Sequence, residues 1–409
     1  MTERADDRNR GLEDQGTIRL PNLRSDRSGT LKLLSWWKHD TVRAATVMIV
    51  GLGALGNEVA KNLALLGIGR LIIVDRDTVE FSNLSRSVLF RESDQGRRKT
   101  EVVAEQIRAL NPDVDVLALH GDVTMDVGLG LFRRVDVAIG CLDSRAARLW
   151  LNDSCYLAGI PWVDGAIQDL FGEVRVFTPG FGACYACTLS ASDWRIIREA
   201  RPCNGLAVGN ILEGRVPTTP TIGSIIGGIQ SQEALKLVHG MPSHPGKAFV
   251  FRGLTTEADL VTLPRKDGCQ SHYTLPEVME LPLTSASTFR DLLREAHARL
   301  GGQAYLMLRG RELVSHLECP VCGSREDLGV LEARLTPDMA PCPSCGHGMR
   351  EAETTHVITD RDPFVDHTLS DAGFPPLDVI EARNATDAVG LELTGDLSEV
   401  IPARWFPRP

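Results

Sequence analysis

Two closely matched cysteine pairs are the clearest chemical signal in the sequence. Cys319 and Cys322 lie in CPVCG, Cys342 and Cys345 lie in CPSCG, and 19 residues separate the pairs. This spacing is typical of a zinc ribbon, in which four thiolates fill a tetrahedral shell. Since a closed shell leaves no position for a substrate, we predict a structural zinc site over residues 319–345.

A glycine-rich turn predicts a nucleotide site. Gly51, Gly53 and Gly56 form G-x-G-x-x-G between an apolar run and a stretch with helical periodicity. The glycines allow the backbone to approach phosphate, and a helix N-terminus attracts anions. Asp75 follows Gly56 by 19 residues, at the end of the next apolar run. A carboxylate in that place can accept hydrogen bonds from a ribose.

Four further side chains favour a triphosphate with a divalent ion over the dehydrogenase that this motif suggests by default. Asn83 and Arg86 lie in FSNLSR, Lys99 in GRRKTE and Asp143 in GCLDSRAAR. Cations suit phosphate oxygens, and Mg²⁺ prefers carboxylate and phosphate oxygen. Each residue alone is typical of a solvated charge in a surface loop. Together, in this order, they predict an ATP and Mg²⁺ site.

A Rossmann-like α/β fold with a doubly wound sheet would position these residues. The apolar runs that flank the glycine turn are typical of strands buried in a parallel sheet. Residues 191–220 lack clear periodicity. Helices are expected over 100–110, 145–158, 222–238 and 288–300, and strands over 114–119, 135–139, from 161 and within 249–263.

Composition excludes several classes of protein. The chain has 409 residues, a net charge of −10, 43% hydrophobic residues and 24% charged residues, as in ordinary soluble proteins. The acidic balance disfavours nucleic-acid binding. No apolar run approaches the roughly 18 residues that span a bilayer. The charged N-terminus lacks the apolar segment of a secretory signal, so we expect a cytoplasmic protein.

The chain resembles the ThiF/MoeB-like adenylyltransferases, the superfamily of ubiquitin-activating-type enzymes. The resemblance covers about residues 24–272. It implies that ATP adenylates the C-terminal glycine of a ubiquitin-like protein, with release of pyrophosphate. The matching segments are GLGALG (51–56), VDRDTVEFSNLSR (74–86), GRRK (96–99), CLDSRAAR (141–148), NDSCYLAGIPWVDGA (152–166), GACYAC (182–187) and IGSIIGGIQSQEALK (222–236).

The resemblance also assigns roles to the nucleotide-site residues. Asp75 would hold the ribose and Asp143 the Mg²⁺, and the phosphates would be held by Asn83, Arg86 and Lys99. An upstream arginine of the family reaches the ATP of the partner subunit, which implies a homodimer. Ungapped spacing places it at Arg27, with Arg24 as the fallback and a plain solvated arginine as the alternative. The small residues of 222–236 resemble a helix near the family's dimer interface, although a closely packed core helix would show them too.

A second structural zinc is implied at the remaining C-x-x-C pair. Cys184 and Cys187 correspond to the family's first zinc half-site. The usual second C-x-x-C is replaced here by Cys269-x-x-His272. Histidine is a good zinc ligand, so we assign these four residues to one ion. The rival assignment pairs Cys184 and Cys187 with a later C-x-x-C and leaves His272 on the surface.

Three of the ten cysteines remain. Cys141 and Cys155 are most simply small buried residues. Cys203 lies in EARPCNG, where family members that proceed past the adenylate carry a thiol that accepts the acyl group. Arg198 and Arg201 could activate that thiolate. The alternative is an incidental loop cysteine, as in members that only adenylate.

We therefore expect a flexible arm over 1–25, an adenylation domain over 26–272 with a crossover segment at 188–220, and a C-terminal region over 273–409. The first hypothesis is an activating enzyme that adenylates a ubiquitin-like protein, forms a thioester on Cys203 and transfers it to a conjugating enzyme. The C-terminal extension favours it. The alternative is activation of a sulfur-carrier protein without a catalytic cysteine. Arg86, Lys99 and Asp143 together argue against a third hypothesis, a pseudoenzyme that only binds partners.

Overall fold

The computed structural model describes residues 26–199 and 217–405. Backbone contacts divide the chain into two compact units at Asp40 and Thr41. The first unit contains a 3-10 helix, Leu31–Leu33, and the start of helix α1, His39–Ala44. The predicted arm over 1–25 and Cys203, together with much of the crossover segment, lie outside the described residues.

An eight-stranded sheet forms the centre of the second unit, in the order β3-β2-β1-β4-β5-β6-β7-β8. Pairing is parallel from β3 to β5 and antiparallel from β5 to β8. This arrangement confirms the predicted doubly wound α/β fold. The strands are β1 (Thr46–Val50), β2 (Arg70–Asp75), β3 (Asp115–His120), β4 (Val137–Gly140), β5 (Trp162–Gln168), β6 (Phe171–Phe177), β7 (Lys247–Arg252) and β8 (Glu257–Thr262).

Helices connect these strands, and their ends follow local sequence signals. Ser144 caps helix α5 by accepting a hydrogen bond from the amide of Ala147. Gly67 and Gly159 end α2 and α5 with φ of 77° and 75°, a conformation that glycine adopts without strain. The helices are α2 (Ala54–Leu66), α3 (Lys99–Leu110), α4 (Leu129–Phe132), α5 (Arg145–Ala158), α6 (Tyr185–Thr188), α7 (Ala191–Glu199) and α8 (Pro220–Val238).

The sequence analysis did not predict the short helices α4 and α6, nor two longer elements, helix α7 and strand β6. Helix α7 occupies part of the stretch in which we found no periodicity. It is short, and Ile197 is its buried apolar side chain, so its pattern is weak. Strand β6 was also not predicted. Its glycine and charged residues interrupt the apolar pattern, and the fold is stabilised there by antiparallel pairing with β5 and β7.

Beyond residue 272 the chain builds two smaller sheets. A five-stranded sheet has the order β14-β10-β15-β16-β9, and a three-stranded sheet has the order β12-β11-β13. Thr288 caps helix α9 in a capping box with Asp291. The elements are β9 (Val278–Leu281), α9 (Phe289–Leu300), β10 (Tyr305–Met307), β11 (Leu313–Glu318), β12 (Arg325–Leu331), β13 (Glu351–Thr355), β14 (Val357–Ile358), β15 (Val379–Arg383), β16 (Ala388–Leu393) and α10 (Leu397–Val400).

Buried charges join this C-terminal region to the rest of the second unit. Glu392, which is fully buried, forms ion pairs with Arg133 and Arg134 directly after α4. Leu377 and Ile401 also belong to the hydrophobic core beneath the large sheet. The boundary between residues 272 and 273 stays a prediction. No helix among the described residues has the length and apolar character needed to cross a bilayer.

Candidate nucleotide site and metal centres

The turn between β1 and α2 requires glycine at two of its motif positions. Gly51 has a φ of 91°, and a Cβ there would collide with the carbonyl of Cys141. A Cβ on Gly56 would collide with the carbonyl of Gly51. A Cβ on Gly53, in contrast, would meet nothing within 4 Å, and no side chain caps the start of α2. The turn therefore presents open backbone, which suits a phosphate.

Asn57 fixes this turn, a role that the sequence analysis missed. Its fully buried amide donates to the carbonyl of Leu52 at 2.7 Å and accepts from the amide of Leu89 at 2.9 Å. One side chain thus joins the glycine turn to the segment that follows β2. The available signal was an amide residue directly after the apolar start of the helix, Ala54–Gly56.

We expect Asn57→Ala to weaken both folding and nucleotide binding. Loss of the amide leaves the carbonyl of Leu52 and the amide of Leu89 without their partner, at a cost of about 2 kcal/mol in unfolding free energy. Asn111→Ala is the matched control, because Asn111 is also buried and donates to the carbonyl of Ala64 at 2.8 Å. Both variants should lose stability in urea, but only Asn57→Ala should bind ATP less tightly by calorimetry. Equal ATP affinity in the two variants would contradict this role.

Asp75 ends β2 beside the glycine turn. Its carboxylate accepts hydrogen bonds from the amides of Leu52 at 2.6 Å and Asp77 at 2.7 Å. Burial raises the pKa of Asp75, and the positive charge of Lys99 opposes that shift. Lys99 is the first residue of α3, and its ammonium pairs with Asp77 at 2.7 Å. The carboxylate predicted for ribose and a cation predicted for phosphate thus lie together.

Asn83 and Arg86 lie between β2 and α3, where local bonds hold them. Asn83 ends a 3-10 helix and accepts from the amide of Glu80 at 3.0 Å. Arg86 donates to the carbonyl of Ser82 at 2.6 Å. The segment is joined to the glycine turn through Leu89, the partner of Asn57. Both side chains are half-buried.

Asp143 lies shortly after β4, on a loop that hydrogen bonds from Arg148 hold in place. Arg148 donates to the carbonyls of Leu142 at 2.5 Å and Gly165 at 3.2 Å. It also lies 3.2 Å from the fully buried carboxylate of Asp164. The Asp143 carboxylate itself is exposed, and no described residue forms a hydrogen bond or ion pair with it. An exposed carboxylate at a strand end has the oxygen chemistry that Mg²⁺ requires.

Cys184, Cys187, Cys269 and His272 lie together, as the family resemblance implied. Their ligand atoms all lie within 4.8 Å of one another. The Sγ of Cys184 is 3.8 Å from that of Cys187 and 3.7 Å from that of Cys269. Sulfur ligands of a tetrahedral zinc, each about 2.3 Å from the ion, stand about 3.8 Å apart. The four residues therefore fit a structural zinc ion.

The matched pairs in the C-terminal region form the second cluster. The Sγ atoms of Cys319 and Cys345 are 3.8 Å apart, and those of Cys322 and Cys342 are 3.7 Å apart. In each knuckle the glycine after the second cysteine has positive φ and donates to the carbonyl of the first cysteine. This geometry explains the glycine of the shared CPxCG pattern, and the four sulfurs also fit tetrahedral zinc.

Comparison with known proteins decides the family. Residues 27–271 match the ThiF family, which is more than half of the chain. The chain belongs to the ThiF family. The match contains the glycine turn, Asp75, Asn83, Arg86, Lys99 and Asp143, but ends before the C-terminal sheets.

Three curated relatives of this ThiF-family chain are adenylyltransferases by name. The adenylyltransferase and sulfurtransferase MOCS3 of Sus scrofa is 35% identical over 241 residues, covering 58% of this chain and 50% of MOCS3. The sulfur carrier protein ThiS adenylyltransferase of Escherichia coli K12 is 32% identical, covering 54% and 84%. The molybdopterin-synthase adenylyltransferase of Salmonella typhimurium is 32% identical, covering 61% and 95%. The chain thus spans about half the length of MOCS3.

A solved structure shares the ThiF-family fold. Escherichia coli MccB, crystallised with AMPCPP and MccA, superposes with a TM-score of 0.50 at 21% sequence identity. The superposition covers 62% of this chain and 76% of MccB. At this identity the likeness shows the fold alone.

The roles that the resemblance assigns to the nucleotide-site residues stay predictions, and so do the roles of Arg27 and Cys203. Arg27 lies in the first unit of this ThiF-family chain. Cys203 lies outside the described residues. The two other cysteines that belong to neither cluster are poor nucleophiles, because burial raises the pKa of the thiols of Cys141 and Cys155.

Proposed function

We propose that this protein uses ATP and Mg²⁺ to adenylate the C-terminal glycine of a small ubiquitin-like carrier protein. The observation that carries the proposal is an open glycine turn in a ThiF-family chain, with Asp75 at the end of β2, Asp143 after β4 and Lys99 at the start of α3. A dehydrogenase would not need the lysine and the exposed carboxylate of Asp143.

The proposed reaction joins two anions. A carboxylate oxygen of the carrier attacks the α-phosphorus of ATP, a C–O–P bond forms, the bond between the α- and β-phosphates breaks, and pyrophosphate leaves. Lys99 and Arg86 offset the negative charge of the phosphates. The triphosphate would compete with Asp77 for Lys99. Mg²⁺, held by Asp143, supplies further positive charge when bound.

The relatives favour a sulfur carrier as the substrate. Two of those named above are called adenylyltransferases of ThiS or molybdopterin synthase, and the third carries both adenylyltransferase and sulfurtransferase in its name. We therefore place the sulfur-carrier alternative ahead of conjugation through Cys203. A second copy of the chain would contribute Arg27, as the family resemblance implies.

Conjugation remains the second candidate, because the C-terminal region has no counterpart in the family match. An activator of a sulfur carrier does not need such an extension. In this candidate, Cys203 accepts the acyl group from the adenylate, AMP leaves, and a conjugating enzyme takes the modifier from the thioester.

Pyrophosphate exchange tests the shared first step. We expect ATP to exchange label with pyrophosphate only when a glycine-ended carrier is present, since the adenylate forms reversibly. The same carrier without its terminal glycine is the control. Absence of exchange with every glycine-ended carrier tried, including ThiS-like and ubiquitin-like proteins, would overturn the proposal.

The fate of the adenylate separates the two candidates. Conjugation predicts a covalent adduct between the enzyme and the carrier that added thiols cleave. This adduct should be lost in Cys203→Ala and kept in Cys155→Ala. The control removes a fully buried thiol. The sulfur-carrier candidate predicts undiminished exchange in Cys203→Ala and no such adduct.

A further inference from the structure

The turn that follows β3 lies beside the predicted ribose carboxylate. His120 is the partner of Asp75 in the parallel register of β2 and β3. The amide of Gly121 donates to the backbone carbonyl of Asp75 at 3.1 Å. Ligands of doubly wound sheets bind at the carboxyl ends of the strands. The turn is therefore placed to line the adenosine end of the nucleotide site.

Aspartates shape this turn, which we define as residues 121–126. Asp126 accepts from the amide of Asp122 at 2.8 Å, and Asp122 accepts from the amide of Thr124 at 2.9 Å. Asp122 also pairs with Arg76 at 2.9 Å. A cavity of about 260 Å³ lies against the turn, with Gly121 and Asp126 in its wall. A shift of the turn would therefore change the shape of this cavity.

The C-terminal region holds the chain just after this turn. The carboxylate of Asp378, itself 1% exposed, accepts from the amide of Leu129 at 2.9 Å. The carbonyl of Leu377 accepts from the amide of Gly130 at 3.0 Å. Arg334 reaches the carboxylate of Asp126 at 3.3 Å. All three anchoring residues lie beyond the part of the chain that matches the ThiF family.

Two backbone features show that this contact is close. A Cβ on Gly128 would collide with the carbonyls of Pro376 and Leu377. Gly128 has a φ of −71°, which any amino acid can adopt. Glycine is therefore needed there only because the segment at 376–377 lies too close for a Cβ. Leu377 has a φ of 55°, a conformation that is strained for a leucine. Such strain persists only where the surroundings hold it.

We propose that the C-terminal region positions turn 121–126 for ATP, with Asp378 and Arg334 as positioning residues. The proposal rests on the nucleotide binding proposed above. The anchors do not touch the nucleotide. They fix turn 121–126 in the shape that binds the adenosine part of ATP. The C-terminal region therefore contributes to nucleotide affinity.

Calorimetry with three ligands tests this coupling. We expect Gly128→Ala to weaken binding of ATP and of AMP about fivefold each and to leave binding of inorganic tripolyphosphate unchanged. Gly302→Ala is the matched control, because a Cβ there meets nothing within 4 Å. Lys99→Ala should show the opposite pattern, with weaker ATP and tripolyphosphate but unchanged AMP. Arg334→Ala removes a partly exposed ion pair and should weaken binding of ATP and AMP by less than Gly128→Ala does. It provides the test if Gly128→Ala fails to fold.

The outcomes separate this inference from the proposed function. Wild-type affinity for ATP and AMP in folded Gly128→Ala and Arg334→Ala would overturn the positioning role and leave the function standing. Equal weakening of all three ligands would also overturn it, because it would indicate general loss of structure. A wild-type protein that binds none of the three ligands would overturn the proposed function itself.

Discussion

Replacing Asp143 with alanine is expected to lower carrier-dependent pyrophosphate exchange about a thousandfold, as the loss of a major electrostatic group does in other enzymes. Asp143 offers an exposed carboxylate to which no described residue is bound, so its removal would take away the proposed Mg²⁺ ligand without leaving a described residue unpaired. The loss should therefore fall on catalysis and not on folding.

Magnesium titration gives the sharper measurement. If Asp143 holds Mg²⁺, the variant should need far more Mg²⁺ for its residual exchange, while its urea midpoint stays at the wild-type value. Asp338→Ala is the matched control, because Asp338 is an exposed aspartate in the C-terminal region. Exchange at the wild-type rate with an unchanged Mg²⁺ requirement would show that the ion is held elsewhere.

The residues that were predictable from the sequence are those whose partners are close along the chain. The glycine turn and Asp75 belong to one β-α-β unit, and the CPxCG knuckles each close within five residues. Such units carry their own spacing rules. His272 was assigned by analogy with a family pattern, and its Nε2 lies 3.3 Å from the Sγ of Cys187.

The residues that were not predictable depend on distant partners. Asn57 binds Leu89, 32 residues away, and Leu129 binds Asp378, 249 residues away. Neither pair has a local pattern, because the sheet order and the packing of the C-terminal region bring them together. The local sequence around Glu392 likewise does not mark it as an anchor, because its partners Arg133 and Arg134 are distant along the chain.

The two cysteine clusters should release zinc at different rates when a chelator is added. We expect two zinc ions per chain and release in two steps when a strong chelator is added. The ribbon should lose its ion first, because Cys322 is exposed and Cys345 is half-buried. Cys184 and Cys187 lie in the hydrophobic core beneath the large sheet, so their ion should leave only as the core opens. A colorimetric zinc indicator follows both steps.

Serine variants turn this difference into a test of which cluster supports the nucleotide site. Cys184→Ser should lower the melting temperature by about 10 °C, since metal binding contributes several kcal/mol to folding and Cys184 is fully buried in the same hydrophobic core as Tyr185 and Trp162. Cys342→Ser should remove one zinc ion and leave ATP binding near the wild-type value. Cys155→Ala controls for the loss of a buried thiol alone.

One-step release of both ions, or equal destabilisation by the two serine variants, would contradict separate structural roles.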